Sequence, residues 1–196
     1  MQTDSMTKKI PFWLIPVAII VVLLCSFSGW GITTYNTLVA SENAVDLAWN
    51  QVETQYQRRF DLIPNLVSTV KGYAQQEQEI FTKLAEARAN YAGAKTTDEK
   101  AVAAGQVESS LGRLLVITEN YPDLKSNQNF LDLSTELKGT ENRIAVERSR
   151  YNEVVQKYNL QIKTFPNNIL AGMFGKTNKE AFKATSGSET APKVEF

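Results

Sequence analysis

From Ile10 to Ile32 the chain reads IPFWLIPVAIIVVLLCSFSGWGI, 23 residues without a charged side chain. At about 1.5 Å of rise per residue, a helix of that length crosses the roughly 30 Å hydrocarbon core of a bilayer. Lipid offers the backbone no hydrogen-bond partners, so such a run must close its own bonds as a helix. A transmembrane helix over 10–32 is therefore predicted, after a short N-terminal segment (1–9), and the lipid bilayer is the first expected partner. A cleaved signal peptide is the rival reading, but its apolar stretch is usually about 7 to 15 residues and no A-x-A-like site follows here. Cys25, the one cysteine, lies within the run, so no intramolecular disulfide can form. Leu23 and Leu24 stand where a lipid-acceptor cysteine would need small residues. Lys8 and Lys9 precede the run, whereas no Lys or Arg follows until Arg58. Basic residues are retained on the cytoplasmic side, which predicts a single-pass protein of the cytoplasmic membrane with its bulk on the non-cytoplasmic side.

Past the apolar run the periodicity is helical throughout. Leu38, Val45, Trp49, Val52, Tyr56, Phe60 and Ile63 recur in alternating steps of three and four, with Glu42 in the missing step. That is a bundle or coiled-coil seam, continuous with the membrane helix. Pro64 lacks an amide hydrogen and clashes with the preceding turn, so the helix is expected to stop at Asp61–Ile63 and reverse. A second seam then carries Leu66, Val70, Tyr73, Ile80, Leu84, Ala87 and Tyr91, with Glu77 in one position, and ends near Gly93. Thr96-Thr97-Asp98-Glu99 has the form of a capping box and predicts a helix start. The third helix runs through Val102, Val107, Leu111, Leu114, Leu115 and Thr118 to Tyr121, where Pro122 stops it; Gly105 and Gly112 are expected to mark close approach of a neighbouring backbone. A fourth helix opens at Ser126 or Asn127 and carries Phe130, Leu133, Leu137, Ile144, Tyr151, Val155, Tyr158, Ile162 and Phe165, with Glu141 and Arg148 in the remaining steps. Pro166 ends it, a short apolar turn or helix is expected at Ile169–Phe174, and residues 176–196 read as a disordered tail. The connections are short, so successive helices should be antiparallel. The expected fold is all-α: an N-terminal transmembrane helix and, over 33–175, an up-and-down four-helix bundle with long helices. Beyond the seams, the one echo is Tyr35-Asn36 in Tyr151-Asn152 and Tyr158-Asn159.

The residue inventory excludes much chemistry. There is no histidine, and the one cysteine is intramembrane, so zinc, haem and His-assisted nucleophilic sites are excluded in their usual forms. No calcium-loop spacing or Gly-rich phosphate loop is present. No catalytic residue, metal ligand or cofactor is expected, and the chain is read as a non-enzyme. The 21 basic and 21 acidic residues balance, which argues against nucleic acid as a partner. What stands out is charge on apolar seams: Glu42, Glu77, Glu141 and Arg148, with Arg58, Arg59, Asp61 and Arg143 nearby. An isolated charge in a dry core costs several kcal/mol, so these must pair or reach water. An ion-pair network that sets bundle register is the leading reading, ahead of solvated flank positions and of a ligand pocket.

The residues that break the seams form long blocks. E-N-A-V-D-L-A-W-N (42–50), R-R-F-D-L-I-P-N-L-V-S-T-V-K-G-Y-A-Q-Q-E (58–77), N-Y-P-D-L-K (120–125), T-E-N-R-I-A-V-E-R-S-R-Y-N-E-V-V-Q-K-Y-N (140–159) and F-P-N-N-I-L-A (165–171) resemble the signature of the LemA family over roughly residues 33–182. The likeness implies one N-terminal membrane helix, an antiparallel four-helix bundle and a bacterial envelope location, and it brings no defined activity. The family is usually described with its N-terminus outside, opposite to the reading from Lys8 and Lys9. Where the family often has a histidine before the glutamate of its Y-A-x-H-E block, this chain has Gln76.

Two functions are set against each other. The first is a membrane-anchored scaffold that forms homo-oligomers. The second is a sensor or adaptor that binds an envelope protein or small ligand at helix-end motifs, around Asp61–Asn65 and Asn120–Lys125. Structural and interaction candidates are Glu42, Trp49, Arg58, Arg59, Asp61, Pro64, Asn65, Glu77, Glu141, Asn142, Arg148 and Tyr151.

Overall fold

The computed structural model describes residues 13–182; the expected segment 1–9 and residues 183–196 of the expected tail lie outside the described residues. Within them the protein is all-α. Helix α1 (Leu14–Lys71) is 58 residues long and joins the apolar run to the first seam without a break. At about 1.5 Å per residue it spans roughly 87 Å. Its N-terminal part is long and apolar enough to cross a membrane and buries none of that stretch within the chain. Further on, Leu38, Val45, Val52, Tyr56, Phe60, Ile63, Leu66, Val70 and Ala74 all turn into the core.

Pro64 does not stop α1, contrary to the expectation from its ring and missing amide. A proline inside a helix costs about 3 kcal/mol. Phe60, Ile63, Leu66 and Val70 flank it and are all buried, and each such side chain contributes roughly 1.5–3 kcal/mol by leaving water. Packing therefore outweighs the local cost. Pro64 itself is exposed. The reversal comes instead at Gly72–Glu77, and α2 (Gln78–Gly93) begins well after the expected turn.

Thr96 caps α3 (Thr97–Thr118) with both halves of the capping box in place: its hydroxyl accepts from the Glu99 amide, and the Glu99 carboxylate accepts from the Thr96 amide. A single turn, α4 (Pro122–Lys125), precedes α5 (Gln128–Lys163), whose first turn is capped by the Asn127 side-chain Oδ1 accepting from Phe130 N–H at 3.2 Å. The last helix among the described residues is α6 (Asn167–Met173).

Side-chain bonds fix the register. Ser41 meets Gln161, Tyr56 meets Arg148, Arg59 meets Glu141 and Tyr73 meets Asn127, so α5 runs antiparallel to α1 along its length. Asn90 meets Gln106 and Gln76 meets Tyr121, which pairs α2 with α3 as an antiparallel hairpin. The helices are unequal: α2 has 16 residues and α3 has 22, against 36 in α5. The hairpin reaches from Tyr121, beside Gln76, down to Ala101, which shares a cleft with Trp49. Nearer the membrane helix, α1 is covered by α5, α6 and the segment after α6, as the Tyr35–Phe174 ring pair at 4.6 Å shows.

Three details of the expected core are revised. Phe165 and Val102 are exposed, because α5 ends at Lys163 and because Ala103 and Ala104 take the inward face of α3. Gly105 and Gly112 have open space where a side chain would stand, so no neighbouring backbone of this chain approaches them. The tail also begins later than composition indicates, since Lys176–Phe182 is a non-helical strap held by specific bonds, described next.

Candidate functional site

Three helices bring charge together around Tyr56. Arg59 on α1, only 5 % exposed, sits 3.3 Å from the Glu108 carboxylate on α3 and 3.5 Å from Glu141 on α5. Arg148 on α5 lies 3.4 Å from the other Glu108 oxygen and donates through Nε to the Tyr56 hydroxyl at 2.8 Å. Glu108 thus bridges guanidinium groups from α1 and α5, and two positive charges face two negative ones. Burial pushes the Tyr56 phenol up to about 12, so it stays protonated at neutral pH and is no base. Arg59 Nε has no partner in this buried position. The arrangement locks three helices in register and offers no nucleophile.

A second cluster holds the strap. Lys176 and Lys179 both pair with Glu42, the latter at 3.2 Å, and the hydrogen bond from Lys176 is the main reason the Glu42 carboxyl lies below its ordinary range. The Asn159 side chain donates to the Lys179 carbonyl at 2.8 Å and accepts from the Lys179 amide at 2.9 Å. Asn152 does the same with Phe182, at 3.1 and 2.8 Å. Tyr151 donates to the Glu180 carbonyl at 3.1 Å. The Phe182 ring stacks on Trp49 and meets Tyr151 edge-on, with the Arg148 guanidinium 5.1 Å from its centroid.

At the far end of the bundle, the Tyr121 hydroxyl accepts from Gln76 at 2.7 Å and donates to Glu77 at 3.3 Å. Burial, and then the Glu77 charge, raise the Tyr121 phenol above its usual value.

The candidates read from sequence divide accordingly. Arg59, Glu141 and Arg148 share the Tyr56 cluster; Glu42, Trp49 and Tyr151 hold the strap; Glu77 sits at the far end. Arg58, Asp61, Pro64, Asn65 and Asn142 are exposed on helix surfaces. Asp61 accepts from Gln57 one turn back, not from an arginine. An exposed loop lined by Arg58, Arg59 and Asp61 would favour the adaptor reading; that stretch is unbroken helix, with Arg59 buried and Arg58 and Asp61 exposed. Sequence reasoning missed Glu108, Asn152, Asn159, Lys176 and Phe182. The Tyr-Asn echo at 151–152 and 158–159 was the available signal for the two asparagines; Glu108 has none, because it lies beside the α3 seam rather than on it.

An apolar helix continuous with a charge-pinned helical domain defines the class: a membrane-associated, all-α protein. The chain belongs to the LemA family, whose model matches residues 48–196. Among its relatives are the magnetosome proteins MamQ 1 and MamQ 2 of Paramagnetospirillum magneticum, each 27 % identical over 89 % of this chain and 74 % of theirs. Protein LemA of Metamycoplasma hominis is 26 % identical over 76 % of this chain and 69 % of its own.

Proposed function

We propose that this protein is a non-enzymatic, membrane-anchored scaffold of the bacterial envelope that associates with copies of itself in the plane of the membrane. The observation that carries this reading is the unbroken α1. A helix of 58 residues that leaves the apolar segment and becomes the first bundle helix ties the domain rigidly to its anchor. Copies in one bilayer then stand parallel and at one height. One side of α3 gives them a face to share: Val102, Gly105, Ser109, Gly112 and Val116 fall on it at helical spacing, two exposed valines (66 % and 70 %) separated by small residues. Balanced charge removes long-range repulsion between copies. The names of the relatives refer to a cellular structure or a family and to no reaction, which supports the non-enzymatic reading.

The test is mass photometry of the full-length protein in native-lipid particles, with Val102→Glu/Val116→Glu as the comparison. Assemblies that fall apart in the double variant support the scaffold. A protein that is monomeric at every concentration rules it out.

A further inference from the structure

The strap cluster is built to hold main chain. Asn152 and Asn159 each grip one residue of the strap through both its amide and its carbonyl. They are seven residues apart on α5, which is about 10.5 Å along a helix. The residues they grip, Lys179 and Phe182, are three apart, which in extended chain is about 10 Å. The two repeats match, so a helix carrying asparagine every two turns reads an extended backbone at every third residue. Side-chain selectivity comes from two flanking features: Glu42, which takes the lysines, and the Trp49–Tyr151 corner under Arg148, which takes an aromatic ring.

We infer that this cleft is a receptor for an extended peptide with lysine followed three residues later by an aromatic residue, and that its occupant in the assembled protein is the strap of a neighbouring copy. The inference rests on the self-association reading above and supplies a linkage for it. Identical copies carry the matching peptide by construction. The strap hangs from Gly175, whose φ of +65° is open to glycine and strained for other residues, and from Lys179 to Phe182 its main chain is held by α5 side chains. Exchange therefore re-forms the same bonds in a second copy, the low-cost route by which swapped assemblies arise. At about 3.3 Å per residue the four residues from Gly175 to Lys179 reach roughly 13 Å, about one helix diameter, so the cleft of a rod in direct contact is within range. Anchoring in one bilayer holds the donor strap and the acceptor cleft at the same height.

Gln156 and Ala181 line the same cleft, which makes the exchange directly readable. Two differently tagged full-length copies, one Gln156→Cys and one Ala181→Cys, both with Cys25→Ser, are co-expressed and oxidised in native membranes. A disulfide-linked heterodimer is expected. Adding Asn152→Ala/Asn159→Ala to the Gln156→Cys copy should lower its yield roughly tenfold or more, since each lost clasp removes two hydrogen bonds. A single chain bearing both cysteines reports closure within one copy. Heterodimer absent while that chain closes on itself overturns strap exchange, as does heterodimer indifferent to the asparagine changes. Mass photometry of the same membranes separates the two ideas: assemblies without heterodimer leave the scaffold standing, and monomers alone overturn both.

Discussion

Arg148 donates to the phenol oxygen of Tyr56 at 2.8 Å while its guanidinium also reaches Glu108 at 3.4 Å, so one side chain of α5 ties α1 to α3. Tyr56→Phe keeps the ring stacked against Phe60 and deletes only the hydroxyl. It should lower the unfolding free energy by about 1–2 kcal/mol, read by circular dichroism of the detergent-solubilised protein. The folded state holds the phenol proton more tightly than the unfolded chain. That contribution is intact below about pH 10 and disappears as the pH climbs toward the folded value of about 12. The variant should therefore show a shallower alkaline unfolding curve; an unchanged curve would place the Tyr56 hydroxyl in contact with water.

Arg59 is the most deeply buried charge among the described residues. Arg59→Ala leaves Glu108 with one partner instead of two and should destabilise the domain by roughly 2–4 kcal/mol, less than a fully buried pair because Glu108 and Glu141 retain access to water. A double-mutant cycle with Glu108→Gln should show coupling. Additive losses would mean that the 3.3 Å contact contributes no energy of its own.

Pro64→Ala restores the amide that α1 lacks. Since Pro64 is exposed and its helical neighbours are already packed, stability should rise by about 1–3 kcal/mol, with a melting temperature higher by several degrees. A lower melting temperature would show that α1 needs the proline to follow α5.

The strap should respond to pH. Glu42 is held below its ordinary value by Lys176 and then Lys179, so its contribution is present above the ordinary glutamate range near pH 4.3 and is lost as acid carries the pH through the depressed value. Lys176 is raised by the same bond, so its contribution is intact below about pH 10.4 and is lost as the pH rises through the raised value. Hydrogen exchange at the Lys179 and Phe182 amides should accelerate in acid relative to the α5 core, and Glu42→Gln should remove that acid dependence. Protection that persists unchanged in acid would assign the hold to the asparagines alone.

Gly105 and Gly112 face open space within a helix. Alanine at either should raise stability by about 1 kcal/mol, through propensity alone. Leucine at both should leave the isolated domain folded and reduce the size of native-membrane assemblies if this side of α3 is shared between copies. Assemblies of unchanged size would move the shared face elsewhere.

Elements set by local rules were readable. The T-x-x-E capping box starts α3, Asn127 starts α5, and the three-and-four spacing named most of the core, including Leu38, Val52, Leu66, Leu111 and Ile144. Phe81 and Phe130 show both sides of this: Phe130 was on a clean seam, while Phe81 lay beside Ile80 and only packing chose between them. The charged seam positions were legible as positions that need partners. Their partners were not, because Glu108 and Lys176 are distant in sequence and neither breaks a pattern of its own.

By itself, the order of residues determined what depends on neighbours a few positions apart: the uncharged run of membrane-spanning length, the all-α character, the helix caps and the apolar stripes. Tertiary structure alone decided that α1 continues through Pro64, that Glu108 joins two arginines, and that a polar segment ending in Phe182 becomes a strap. Each of these is a competition between a local preference of at most about 3 kcal/mol and the summed burial or pairing of residues far apart in the chain. Such a sum exists only once the helices are side by side.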